Sequence, residues 1–273
     1  MNRFSTSSEL KRNARTLLYG KLGTVIGAFL VHAVCIMLIT TLTDRIGLST
    51  WYQILIYTIV TVVISLIGAV FNLGECFMYL KNASGQEIGV GDVFYGFKGL
   101  VQKVFSVRLI PSLIYSVAGI PVILIGNAYS EILLTQIKDP ESFMQSYMDA
   151  LTTMDPAKID AIMKVIEPAV PVMTMMVVAF VLRLLVQLIV SALFSQTHYV
   201  MLDYPELDVT ETIRHSFKII KGSFGRYIYT TLSFIPWILL APFSCGISLI
   251  WLVVYRDQVM ASFYLDLVKN QNG

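Results

Sequence analysis

Arg183 stands near the middle of an unbroken apolar run, about Ala169 to Phe194, with Gln187 one helical turn further on. A charge at membrane depth costs at least about 2.5 kcal/mol even on lenient insertion scales, so an arginine kept there must face other protein groups. Its guanidinium calls for a carboxylate or for carbonyls. Two acids inside other apolar runs could serve: Glu75, and Asp257 of the Arg256-Asp257 pair. Asn72 joins them, and this set falls towards the inner ends of two runs. These residue types support either structural ion pairing or a polar lining along a solute or ion path. His32, midway along the first apolar run, reads either as a proton relay or as a hydrogen-bonded core residue.

Nothing else in the chain has catalytic spacing. There is no HExxH, no GxSxG and no paired-carboxylate motif, and His32, His198 and His215 fall in three different elements. Gly91 to Lys98 is a near miss for a phosphate loop, but Phe97 intervenes where the lysine should follow the second glycine. Cys35, Cys76 and Cys245 lie far apart, each in an apolar run, which excludes a CxxC pair and argues against a disulfide framework. Asn82-Ala83-Ser84 matches a glycosylation sequon on what is expected to be the cytoplasmic side. No catalytic residue, metal or cofactor is therefore expected.

The elements that must position the polar residues are membrane helices. Of 273 residues, 56% are hydrophobic and 14% charged, with a mean hydropathy of +0.70, far more apolar than a soluble domain. A span needs about 20 mostly apolar residues. Six runs qualify: Leu22 to Leu42, Trp51 to Leu80, Leu109 to about Ile132, Ala169 to Phe194, Tyr227 to Leu240, and Ile247 to about Leu265. Pro111 and Pro121 predict kinks in the third. Trp51, Trp237, Tyr227 and Tyr229 near run ends read as interfacial anchors. Of the 20 Lys and Arg, 15 lie on one side of this arrangement and four, Arg45, Lys138, Lys158 and Lys164, on the other. The positive-inside rule then puts both termini in the cytoplasm of a multi-pass plasma-membrane protein. Residues 138–167, acidic and rich in Met, are expected as an outer cap of two short helices broken at Pro156.

The fold class expected is all-α, a polytopic membrane helix bundle of six transmembrane helices in a single domain, 1–273. Cytoplasmic segments before three of the runs carry apolar residues at i, i+4 and i+7: Leu10, Ala14 and Leu17; Val93, Phe97 and Leu100; Ile213, Phe217 and Ile220. That spacing predicts three amphipathic helices along the inner leaflet. Their basic residues would meet headgroups or water: Lys11, Arg12 and Arg15, then Lys98, then Arg214, Lys218 and Lys221. The returning runs end alike, in Tyr79-Leu80, Met201-Leu202 and Tyr264-Leu265, which suggests a threefold repeat with units 1–80, 81–202 and 203–273. Shared patterning of unrelated connectors would leave the same trace.

From Tyr199 onward a more specific pattern appears: Leu202-Asp203-Tyr204-Pro205-Glu206, Arg214, Ser216, Lys221-Gly222, Leu232-Ser233-Phe234-Ile235 with Trp237, Gly246-Ile247, Tyr255 and Phe263-Tyr264. In these residues the chain resembles a bacterial integral membrane family known as domain of unknown function 975. The family usually has Gly where this chain has Pro236, and Pro where it has Val254. Over the first 190 residues the likeness lies in topology and in the basic start at Glu9, Leu10 and Lys11. The resemblance implies a topology and carries no activity, cofactor or site residue.

The leading expectation is a non-enzymatic protein whose basic helices organise anionic inner-leaflet lipids or dock another membrane protein. The alternative is a small-solute or ion transporter using the polar cluster of Arg183, Glu75 and Asp257. A formal charge of +2 gives no attraction to nucleic acid.

Overall fold

The computed structural model describes residues 4–137 and 139–271. Arg3 and Lys138, counted above in the charge asymmetry, lie outside the described residues. Among those described the chain is all-α, without strands. In order it forms α1 (Ser7–Leu18), α2 (Leu22–Thr40), α3 (Trp51–Ala83), a 3-10 helix Val90–Phe97, α4 (Val101–Gln136), α5 (Pro140–Thr153) and α6 (Pro156–Ile166). Then follow α7 (Val170–Leu193), α8 (Thr197–Asp203), α9 (Val209–Ile220), α10 (Phe224–Leu232), α11 (Ile235–Ile238) and α12 (Ile247–Gln271).

Four stretches are long and apolar enough to cross a membrane: Leu22–Arg45, Trp51–Ala83, Val101–Gln136 and Pro156–Asp203. Their surfaces agree with that reading. Val177, Val178, Val181, Leu182, Leu184 and Leu185 are all exposed along α7, an apolar belt that water would not tolerate and hydrocarbon would. These four mark a multi-pass membrane protein. The last two expected runs differ in kind. Tyr227 to Leu240 is split at Ser233-Phe234 into the short α10 and α11, and Pro236 in the first turn of α11 helps start the new helix. The sixth run lies in α12, whose Arg256, Asp257, Asp266 and Lys269 lower its hydropathy. α4 continues across both Pro111 and Pro121 as one helix.

The chain divides into two compact units, one from Met1–Arg45, Ile59–Leu113 and Leu188–Gly273, the other from Ile46–Thr58 and Ile114–Gln187. In the second, α5 and α6 form the expected helical pair, each opened by an Asp-Pro start at Asp139 and Asp155. Their turn is closed by Met154 in the left-handed region, φ 50°. The Asp149–Lys158 ion pair links the two helices.

The first unit is built around α12. Thr6 and Glu9 form a capping box that starts α1, and Leu10, Ala14 and Leu18 are buried as α1 packs along α12. Ser5 donates from its backbone N–H and its hydroxyl to Asp266, at 3.1 and 2.7 Å, and Arg226 pairs with the same carboxylate. The Tyr255 hydroxyl donates to the Lys11 carbonyl at 3.1 Å and accepts from Arg15 Nε at 3.2 Å. Beneath these sits a buried knot: Asn82 donates to the Leu17 carbonyl and to Gln258 Oε1, and accepts from Lys21 Nζ. Asn82 is 1% and Gln258 0% exposed, so the bond between them is shielded from water, and the other two are partly so.

The three surface segments therefore need correction. α1 and α9 are helices, but the middle one is a 3-10 helix that stops at Phe97, leaving Lys98 as its cap. It is pressed onto α3 through glycines. A Cβ on Gly74 would lie 2.0 Å from the Val93 carbonyl oxygen, and one on Gly96 would lie 2.4 Å from that of Val70. On α9 the buried face is Thr212, Ser216, Ile219 and Ile220, one position round from the expected one, with Ile213 and Phe217 half-buried. In α1 and α9 the apolar face packs on protein, against α12 and α8.

The exits of α1 and α9 share one conformation. Tyr19 (φ −61°, ψ 125°) precedes Gly20 (φ 77°), and Lys221 (φ −58°, ψ 126°) precedes Gly222 (φ 86°). Both are type II turns that require glycine at the second central position, closed by Lys21 N–H to Leu18 at 3.0 Å and Ser223 N–H to Ile220 at 2.9 Å. Gly99 (φ 90°) follows the 3-10 helix at the same place, two residues before the next helix.

Two substitutions test this packing by thermal unfolding in detergent. Gly74→Ala forces backbone apart and is expected to cost at least about 1–3 kcal/mol, whereas Gly91→Ala, with open space around it, should be nearly silent. Asn82→Ala leaves buried partners unsatisfied and should cost about 1–3 kcal/mol, with a non-additive response when combined with Gln258→Leu. Equal melting of all these variants and the parent would refute the packing described.

Candidate functional site

Asn72, Glu75, Cys76 and Tyr79 follow one another at helical spacing, so they share one face of α3. That face closes one side of a cavity of about 120 Å³ in the first unit. At about 30 Å³ per water this holds roughly four waters or one small solute. α12 supplies Arg256, Asp257 and Met260, and Ser195, Tyr199 and Tyr227 complete the wall. The lining thus combines both signs of charge with three tyrosines.

Glu75, 6% exposed, receives its ion partner from α2: Oε1 lies 2.9 Å from His32 Nδ1. The imidazole stacks on Phe71, ring centroids 5.1 Å apart, and Phe71 in turn meets Phe94 and Phe97 of the 3-10 helix. This fixes the ring plane and aims one nitrogen at the acid. Arg256 and Asp257 pair with each other at 2.9 Å. Asn72 turns its amide to the Gly68 carbonyl. Tyr199 is held by stacking on Tyr264, 5.0 Å away, whose hydroxyl donates to Asp203 at 2.6 Å.

The structure therefore brings together Asn72, Glu75, Arg256 and Asp257 from the expected cluster and ties His32 to them. Arg183 and Gln187 stand elsewhere, exposed on α7 in the second unit. The Arg183 guanidinium carbon lies 3.8 Å from where a Cβ on Gly119 would be, so it covers the small surface that this glycine leaves. The two acids expected as its partners have taken His32 and Arg256 instead. Among the basic surface residues, Arg12, Lys98, Arg214, Lys218 and Lys221 are exposed, while Lys11 donates to the Ser233 carbonyl and sits over the Phe234 ring at 4.5 Å. Burial, and then the charge of Arg15, hold the Lys11 ammonium below its ordinary pKa.

Cys76, Tyr79, Ser195, Tyr199, Tyr227 and Met260 were missed as lining residues. Cys76 and Tyr79 were findable from their spacing to Glu75. Met260 follows Arg256 and Asp257 by one turn of α12; Ser195, Tyr199 and Tyr227 come from remote elements, and Tyr227, read above as an interfacial anchor, is buried at the cavity.

The family model for a protein of unknown function (DUF975) matches residues 1–271. The chain belongs to that family. No curated protein and no solved structure matches it. Several residues that carry the DUF975 resemblance turn out to be those that hold the first unit together. Asp203 accepts from Tyr264, Tyr255 ties α12 to α1, Phe234 lies under Lys11, and Gly222 makes the turn after α9.

The His32–Glu75 pair makes a stability test for this DUF975 chain. His32→Leu strands a buried carboxylate and is expected to cost up to about 3 kcal/mol, reduced by whatever protonation of Glu75 recovers. Adding Glu75→Leu should restore much of the loss in a detergent melt. A double variant less stable than His32→Leu alone would show that the pair is not the relevant contact.

Proposed function

We propose that this protein binds a small polar solute or ion in the cavity between α3 and α12 and passes it towards or across the membrane. The carrying observation is the polar face of α3, Asn72, Glu75, Cys76 and Tyr79, set against the Arg256–Asp257 pair around a half-open space. A buried carboxylate and a partly exposed ion pair beside an open volume are a usual arrangement of a polar binding site in a helix bundle. The same polar groups, if needed only for packing, would close on one another and leave no space.

The reading includes six passes and cytoplasmic termini. Leu232, Ile235, Trp237, Ile238, Leu239, Leu240, Phe243 and Ile247 are exposed apolar side chains around the α10–α12 bend, which supports a hairpin lying in hydrocarbon. The matched turns at Gly20 and Gly222 support a repeated surface-helix-plus-hairpin design. A second reading keeps the docking role for the basic surface. Arg214, Lys218 and Lys221 are exposed while the opposite face of α9 is packed against protein, so they remain free to meet anionic headgroups or another membrane protein.

Thiol chemistry tests the cavity. With Cys35 and Cys245 replaced by Ala, Cys76 is expected to react slowly with a small hydrophilic methanethiosulfonate reagent, faster as pH rises because the thiolate is the attacking form, and to resist a bulky one. Complete inertness of Cys76 to the small reagent even at alkaline pH would end the cavity reading. Orientation is tested in a Cys-free background by a cysteine at Asp149, which should label from outside intact cells, and by one at Lys218, which should label only after permeabilisation.

A further inference from the structure

Charge counting around the cavity leaves one unit uncompensated. Arg256 and Asp257 cancel as a pair. Glu75 has His32 as its ion partner, 2.9 Å away, and an imidazole adds charge only when it holds a second proton. The other titratable groups lining the site, Cys76 on α3, Tyr79 on α3, Tyr199 on α8 and Tyr227 on α10, are neutral at ordinary pH. From the 3-10 helix come Phe94 and Phe97, acting through Phe71. In a low-dielectric interior one net negative charge calls for one positive charge nearby. Two occupants can supply it: a proton on the His32–Glu75 pair, or a cation in the cavity.

We propose that the cavity is a proton-for-cation exchange site, in which a small monovalent cation of the sodium or potassium class enters as one proton leaves the His32–Glu75 pair. This rests on the solute-binding reading above and names its ligand. The donors suit such an ion: carboxylate, amide and hydroxyl oxygens from Glu75, Asn72, Ser195 and the tyrosines are hard ligands. The charge sets the valence. One uncompensated carboxylate balances a monovalent ion, and no group of three or more His, Cys, Asp or Glu suited to a metal ion occurs among the described residues. The volume of about 120 Å³ admits the ion with some of its water. The exchange balances: the proton passes to solvent, the cation takes its place, and net charge in the site is unchanged.

The test uses the whole protein, purified in detergent in weakly buffered solution with a pH indicator. Sodium, potassium or choline chloride is added at equal ionic strength. Sodium or potassium is expected to release about one proton per protein, and choline, whose methyl-covered charge the oxygen donors cannot coordinate, none. The same ion should raise Tm more as pH rises from about 5 to about 8, because the proton competes less for the pair. Glu75→Gln should abolish both effects. The Tm series on the unaltered protein decides the matter should that variant fail to fold. Absence of proton release with both ions, release equal to that with choline, or a cation effect that survives in Glu75→Gln overturns the exchange. Should Cys76 still react with the small reagent, the cavity stands and the exchange alone has failed; an inert Cys76 removes both.

Discussion

The buried hydrogen bonds that join Asn82 to Gln258, to the Leu17 carbonyl and to Lys21 bring together three places far apart in the sequence. The exit of α1, the end of α3 and the middle of α12 meet there. Polar side chains with so little access to solvent must be satisfied within the protein, and an amide side chain can do this for only a few geometries. The knot therefore fixes how far α3 and α12 stand apart as well as holding them together. That separation sets the cavity, because Glu75 and Asp257 sit within two turns of the knot on the same two helices.

The amphipathic helices acquire a different meaning from this arrangement. α1 has its apolar face in the protein core and several of its polar groups in defined bonds: Ser5, just before it, to Asp266, Lys11 to Ser233, and Arg15 to Tyr255. It behaves as a strap across α12, and its basic residues are in part structural. α9 also packs inward but leaves Arg214, Lys218 and Lys221 uncovered. The exposed basic side chains of the expected surface set that make none of these bonds are those of α9 with Arg12 and Lys98, fewer than the basic residue count suggests.

Glu75 is the residue at which the packing and the proposed function meet. It is almost fully buried, lines the one cavity wall that is regular in sequence, and is joined to an imidazole whose plane is held by Phe71. A purely structural carboxylate in hydrocarbon is expensive to keep. Its retention beside an open volume is what gives the solute and cation readings their physical basis.

The amino-acid sequence by itself determined the solvent: apolar runs of about 20 residues and basic connectors are local properties, visible without any contact. It also determined α1 and α9, through capping residues and helical spacing, and the glycine turns after them, since positive φ selects glycine directly. The polar set Asn72, Glu75, Arg256 and Asp257 was legible as a group because charges in apolar runs are rare. Pairing was not. Arg183 was matched with Glu75 and Asp257 on charge alone, yet His32 and Arg256 hold those acids, and an arginine in the other unit lies over a glycine. Which of several opposite charges meet depends on helix rotation and spacing, and these are set by long-range packing such as the Gly74 and Gly96 contacts, the knot at Asn82 and the α1 strap. Tyr199 and Tyr227 of the cavity come from two other helices, so no local pattern around Glu75 announces them. The one-position turn of the buried face of α9, and the contraction of Val90–Phe97 to a 3-10 helix, have the same origin. An apolar stripe tells a helix which side to bury within about one residue, and the neighbouring surface decides the rest.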